Sequence, residues 1–498
     1  MSAPASIPLP RLSDAVLPVL PAAVARPAYD RGKVTAGIVH LGVGAFHRAH
    51  QAVFADDALG RGETGWGIVA ASLRSAATRD ALAPQDCLYT FALRDGSSRP
   101  ALRVIGSIKR IIVAPEEPEV LIAALAAPQT RIVTLTITEK GYGFDIAAGR
   151  LDGGDPAIRA DLGTEGPPVS ALGFLFEGLR RRRAEGAPPV TLIPCDNLPK
   201  NGETLRKALT EFSRRKEPAL ADWIGDNVAF ASSMVDRIVP GTTDADREAI
   251  DAALGARDAW PVVAEPAFDW IVEDRFPRGR PPFEASGVRF VADVEPYEHM
   301  KLRLLNGAHT AIAALGRLAG FETVPEAVGH PLVRRFLERL WDESEATLRI
   351  DPQVSAEYRG KLLPRFANPA LPHKTAQIAT DASLKVPQRL LEPLRARLAA
   401  GQAADALVFV VALWIRSCGG VDDAGKPFSV NDPGYERWPG KPEAGAGAAA
   451  TVEAFLRFPA VFGDDLPRNT AFAVALRDAL GDIMRLGALG ALAERVGA

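Results

Sequence analysis

Residues 36–50, AGIVHLGVGAFHRAH, constrain the fold of this 498-residue chain more than any other stretch. An apolar run of strand character meets glycines at 42 and 44, and helix-forming residues follow at once. Glycine lets a chain turn where a side chain would clash, and the start of a helix carries backbone amides without intrahelical partners. A strand that turns through glycines into a helix is therefore a ready anion cradle, the corner of an α/β fold where the pyrophosphate of a dinucleotide docks. The pattern is G-x-G-x-x-H, with His47 standing where a third glycine usually packs helix against strand.

Further strand-like runs follow at 65–73 (GWGIVAASL), 131–138 (RIVTLTIT), 189–197 (PVTLIPCDN) and 288–294 (VRFVADV), with helical stretches such as 171–186 between them. Strands alternating with helices predict a mainly parallel sheet covered on both faces. Beyond about residue 294 the runs become long and helical, and strand candidates nearly vanish. The expected organisation is α/β: an irregular arm over 1–35, a Rossmann-type domain over 36–290, and a mostly α-helical domain over 291–498. The run 441–450, KPEAGAGAAA, reads as a flexible connection.

A net charge of −3 gives no electrostatic case for nucleic acid or an anionic membrane as partner. The apolar run 406–415 is far shorter than the roughly 20 residues that span a bilayer. Prolines interrupt the N-terminus, so it does not read as a signal peptide. Three cysteines, Cys87, Cys195 and Cys418, make neither a disulfide framework nor a zinc knuckle. None of the seven histidines forms a metal-ligand pair. A metal-free cytoplasmic protein is expected.

After the second strand an acid would bind the ribose hydroxyls of NAD. Here the chain reads LRSAAT, with Arg74 at that place. Arginine can accommodate the 2′-phosphate of NADP, so NAD is expected with NADP left open.

In KLRLLNGAHTAIAAL (301–315) an apolar helix carries Lys301, Asn306 and His309. On an α-helical wheel at ~100° per residue the three fall within a sector of roughly 140° that also holds Leu305 and Ile312. Each polar group alone has an ordinary explanation: a snorkelling lysine, an Asn-Gly irregularity, a satisfied core histidine. Three on one apolar face are better explained by a shared site, because an unpaired buried polar group costs roughly 1–3 kcal/mol. Desolvation would lower the pKa of a buried lysine, making it a base near neutral pH. Asparagine amides suit an alkoxide, and Asn197, ending a strand in PCDNLPKNG, is a second such donor.

Taken together, GIVHLGVGAFHRAH, TLTITEKGY, CDNLPKNG, SMVDRIVP, PYEHMKLRLLNGAH and QIATDASLKVPQRL resemble the mannitol dehydrogenase family, the polyol-specific long-chain dehydrogenases. The resemblance implies a metal-independent, monomeric oxidoreductase that moves hydride between nicotinamide and a secondary alcohol of a small open-chain sugar derivative. It implies Lys301 as general base, Asn197 and Asn306 as alkoxide donors, His309 as a substrate ligand that steadies the lysine, and Glu298 as a proton gate. Gly42, Val43, Gly44, Ala45 and Phe46 would form the cofactor loop, with Glu139 and Asp236 beside it. Lys385 and Gln377 would line the substrate site.

Two departures from the family pattern stand out. NAD-using members carry an acid where this chain has RSAAT. Mannitol-type members carry arginine at the position of Gln377, whereas Q-I-A-x-D-x-S-x-K-x-P-Q-R looks like the branch that interconverts D-mannonate and D-fructuronate. That couple is the leading expectation. The D-mannitol/D-fructose couple and D-arabinitol 4-dehydrogenation are the alternatives, and a non-catalytic dinucleotide sensor is the remote one.

Overall fold

In the computed structural model, which describes residues 9–497 except 97–99, 147, 164–165, 371 and 444, the chain divides into two compact units, Met1–Glu295 and Pro296–Ala498. The first is built on six strands: β1 (Ala36–Leu41), β2 (Gly67–Ser72), β3 (Ile108–Val113), β4 (Ile132–Leu135), β5 (Thr191–Pro194) and β6 (Ala229–Phe230). Their spatial order is β3-β2-β1-β4-β5-β6, and every neighbouring pair is parallel. This is the doubly wound order, and the chain reverses direction across the sheet between β1 and β4. Ligands bind in the crevice beyond the carboxyl ends of such a pair.

Period-two alternation sends successive β1 side chains to opposite faces. Ile38 joins the core formed with Ala52 and Phe54 of helix α2 (Gln51–Gly60). Val39 and Leu41 join the other core, with Leu172, Phe174, Leu205 and Leu209. Both faces are covered, as a parallel sheet requires.

Two features differ from the sequence expectation, and a third adds to it. β3 closes one edge of the sheet although its residues Lys109 and Arg110 break the apolar run; an edge strand tolerates them because one side meets water. Residues 288–294 do not join the main sheet: Arg289–Val291 pairs with Asp269–Glu273, which pairs with Ser233–Asp236 in a separate three-stranded sheet. The N-terminal arm is irregular but packed, since Leu12, Leu20 and Val24 are buried with Leu102, Val104 and Leu254; its first eight residues lie outside the described ones.

The second unit is helical. Helix α3 (Gly307–Ala319), helix α4 (Asp405–Ser417) and helix α5 (Thr470–Val496) pack on one another. α4 contains the apolar run 406–415 and is buried on all sides from Ala406 to Ile415, which accounts for its composition. Among the described residues no helix is long and apolar enough to cross a membrane.

Candidate active site

The glycine corner lies at the carboxyl end of β1. Gly42 has φ +99°, and a Cβ there would sit 2.1 Å from the carbonyl oxygen of Thr136, so no side chain fits. The Gly42 and Val43 amides both donate to the Ala71 carbonyl, at 2.8 and 3.3 Å. Gly44 is different: a Cβ there would meet nothing closer than 3.9 Å. Gly44 is the N-cap of helix α1 (Ala45–Ala49) and supplies no side chain to its first-turn amides. Gly44 and Ala45 are exposed, Phe46 is half-buried and Val43 is buried. A turn pinned tightly behind and open in front, with uncapped amides, fits a pyrophosphate.

The turn is held from below by His40, a residue that the motif reading passed over. Its Nδ1 lies 2.7 Å from Thr134 Oγ1, and its Nε2 lies 3.1 Å from the Gly42 carbonyl and 2.9 Å from Thr136 Oγ1. Thr136 also donates to the Gly42 carbonyl at 2.7 Å. Full burial pushes the His40 imidazole down to about 3, so the ring is neutral. The pattern assigns its proton to Nε2, with Nδ1 accepting from the Thr134 hydroxyl. His47 is buried directly against it, and the break between α1 and α2 falls at His50.

The ends of β4 and β5 are tied by another residue that the sequence reading missed. Asp196 accepts from the Ile137 amide at 3.1 Å, the Thr138 amide at 2.9 Å and the Tyr142 hydroxyl at 2.7 Å. Burial raises its carboxyl, with these hydrogen bonds opposing. Thr138 has φ +66°, a costly place for a β-branched residue; strain of that kind concentrates at functional sites. Asp196 therefore sets the loop that carries Glu139 and the loop that carries Asn197, both of which are exposed. Arg74 is exposed beyond the end of β2, and Asp236 is buried at the end of its strand.

In the second unit, Lys301, Asn306 and His309 stand on one continuous helical run, but it is not a plain α-helix. Residues Lys301–Asn306 form a π-helix, in which the Gly307 amide reaches back five residues to the Leu302 carbonyl. The wheel drawn at α-helical spacing therefore misplaces these residues: a wider turn inserts an extra position, and the three need not share one α-helical stripe. Lys301 and His309 are buried, and Asn306 is half-buried. The loosened backbone finds other partners. Trp341 Nε1 donates to the Leu304 carbonyl at 2.9 Å, and Thr310 Oγ1 donates to the Asn306 carbonyl at 3.0 Å.

A second π-helix, Pro387–Leu391, packs on the first. A Cβ at Gly307 would lie 3.4 Å from the Arg389 carbonyl, an ordinary contact distance, so the two segments touch here. The His309 ring is 4.6 Å from Phe366 and 5.8 Å from His373. His373 is held below its ordinary value by burial and by the charge of Lys385. Lys385 donates to the Ile378 carbonyl at 3.4 Å and also to that of Thr380, and it lines a cavity of about 40 Å³ with Thr310. Glu298 is buried in the last turn before Lys301. Gln377 is exposed on the short helix Thr375–Ile378. Among the described residues no group of three or more histidine, cysteine or acidic side chains could hold a metal ion.

Comparison with known proteins agrees with this architecture. Residues 36–285 match the mannitol dehydrogenase Rossmann domain, and residues 293–484 match the mannitol dehydrogenase C-terminal domain. The chain is 42% identical over 477 residues to a mannitol 2-dehydrogenase of Pyrenophora tritici-repentis, covering 94% of this chain and 83% of that one. It is 40% identical over 475 residues to D-mannonate oxidoreductase of Escherichia coli, covering 93% and 96%. The solved structure of Pseudomonas fluorescens mannitol 2-dehydrogenase, a ternary complex with NAD and D-mannitol, superposes with a TM-score of 0.83 at 36% identity over 98% of this chain and 99% of that one. With both halves matched in order and over nearly their full length, the chain belongs to the mannitol dehydrogenase family and is a dehydrogenase.

Proposed function

We propose that this dehydrogenase is NAD-dependent and transfers hydride between a secondary alcohol of an open-chain sugar acid and the nicotinamide, in the manner of a D-mannonate/D-fructuronate couple. The observation that carries the reading is a buried lysine on a π-helix beside Asn306 and His309, in a chain whose other unit holds an open glycine corner. Gly42, Val43, Gly44, Ala45 and Phe46 would hold the dinucleotide, which supplies a hydride acceptor at the nicotinamide C4. In oxidation Lys301 Nζ takes the hydroxyl proton as the carbon gives up hydride, and in reduction it returns that proton. Asn306 donates its amide to the alkoxide oxygen, and Asn197 is assigned the same role. His309, fixed against Phe366, is a ligand for a substrate hydroxyl. Buried Glu298 passes the proton onward to solvent.

A polyol substrate is the second reading, favoured by the mannitol 2-dehydrogenase relatives at comparable identity. Oxidation of NADH or NADPH with D-fructuronate, D-tagaturonate, D-fructose and D-xylulose separates the two. The expected result is turnover with NADH and a uronate that exceeds turnover with fructose at least tenfold. Preference for fructose or xylulose transfers the function to the polyol reading, and preference for NADPH makes Arg74 a phosphate ligand. Cofactor binding without turnover of any sugar supports the sensor.

A further inference from the structure

We propose that Arg389 is the carboxylate-recognising group of the second unit, the residue that selects a sugar acid over a neutral sugar. The inference rests on the hydride-transfer reading above and names the part of the substrate that reading leaves unassigned.

Arg389 lies on the π-helix that packs against the π-helix of Lys301 and Asn306. Its Nη1 is 3.2 Å from Thr310 Oγ1, the hydroxyl that itself donates to the Asn306 carbonyl. The guanidinium is thus placed within one turn of Asn306 and beside the residue that follows His309.

Several other embedded arginines are answered, although buried Arg48 and Arg303 each keep an Nε without a partner. Arg103 meets Asp56 and Asp57. Arg359 meets Glu338, Asp342 and Glu345. Arg182 is surrounded by the carbonyls of Leu125, Ala127, Thr130 and Pro188. Arg389 has one neutral hydroxyl for five donors, and among the described residues no carboxylate lies within ion-pair distance of it. Burial alone pushes it down to about 10, with no acid to oppose. Arg389 is half-buried, and a partly desolvated cation without a counterion has donors left to receive an anion. Its planar fork matches a carboxylate in a bidentate pair.

Lys385 stands four residues earlier on the same helical run and lines a cavity with Thr310, Arg317 and Asp432.

The test is the ratio of kcat/KM for D-fructuronate to that for D-fructose in wild type, Arg389→Gln and Arg389→Lys, with D-mannonate as competitive inhibitor of fructose reduction. Loss of a charge-assisted pair predicts a fall in that ratio of roughly 10- to 100-fold in Arg389→Gln. Arg389→Lys, which keeps charge and bulk, should recover part of it and serves if the glutamine variant does not fold. If wild type reduces the uronate and the ratio is unchanged in both variants, Arg389 is not the carboxylate group while the substrate reading stands. If wild type reduces only neutral sugars, inhibition by D-mannonate decides. Inhibition lost in Arg389→Gln keeps the anion site although the substrate reading has failed; absence of inhibition, or inhibition untouched by the variant, overturns the site.

Discussion

The imidazole of His47 lies flat on that of His40, with ring centroids 3.4 Å apart and planes 11° from parallel. Both rings are fully buried beneath the glycine corner. His47 occupies the place where a third glycine would bring helix and strand together, so here an aromatic stack makes that contact. His40 links the stack to the Gly42 carbonyl and to Thr136.

This stack should make stability fall with acid. Burial holds His40 at about 3 and keeps His47 well below its ordinary value of 6.5. Below pH 6.5 the unfolded chain gains protons that the folded one refuses, so the stability is fully present above pH 6.5 and is lost as pH falls. The slope is about 1.4 kcal/mol per pH unit for each histidine. Urea midpoints at pH 7.0, 6.0 and 5.0 measure it, and His40→Asn should remove one histidine's share. Equal slopes in the two proteins would sink this account.

The two glycines of the corner should behave oppositely on substitution with alanine. Gly42→Ala drives a Cβ into the Thr136 carbonyl at positive φ, and a loss of about 1–3 kcal/mol is expected. Gly44→Ala has room and should keep the wild-type urea midpoint, yet its methyl projects on the open side and should weaken NADH binding about tenfold or more. Fluorescence titration with NADH reads the second effect; undiminished binding would place the dinucleotide elsewhere.

Asp196→Asn keeps shape but turns an acceptor of three hydrogen bonds into a group that also donates. Two backbone amides and the Tyr142 hydroxyl converge on the carboxylate, so about 1–3 kcal/mol of stability should be lost. The strained turn at Thr138 should also relax, which raises KM more than a surface substitution such as Lys207→Gln does. Hydrogen exchange over residues 137–143 would show the relaxation; unchanged protection would mean that other contacts hold the turn.

Lys301→Met should bind NADH as wild type does and lose turnover by roughly 10²- to 10⁴-fold, the usual share of a general base. Partial recovery at high pH, where hydroxide substitutes for the base, would distinguish lost proton transfer from a disturbed helix. Activity near wild type would remove Lys301 from the chemistry.

Much of this arrangement could be read along the chain because it is local. Apolar strands, glycines at a turn and helical runs leave their periods in sequence, so β1, β2, β4, β5 and the helical character of the second unit were all expected. β3 was not, because Lys109 and Arg110 hide an edge strand whose partner, β2, lies far back in the chain. Asp196 and His40 were quoted inside motifs without a role, since nothing local shows that one holds the Thr138 turn and the other a carbonyl beneath Gly42.

The sequence by itself determined four of the six strands, the glycine corner and the identity of the polar residues at 301, 306 and 309, because side-chain chemistry and hydrophobic period are written residue by residue. Tertiary structure alone decided that Lys301–Asn306 would be a π-helix. An α-helix and a π-helix differ by one residue in the reach of each hydrogen bond, too little for composition to specify. The balance is tipped by distant groups: Trp341 donating to the Leu304 carbonyl, and the second π-helix closing against Gly307. The same packing set Arg389 beside Thr310, a pairing across 79 positions that no local pattern records.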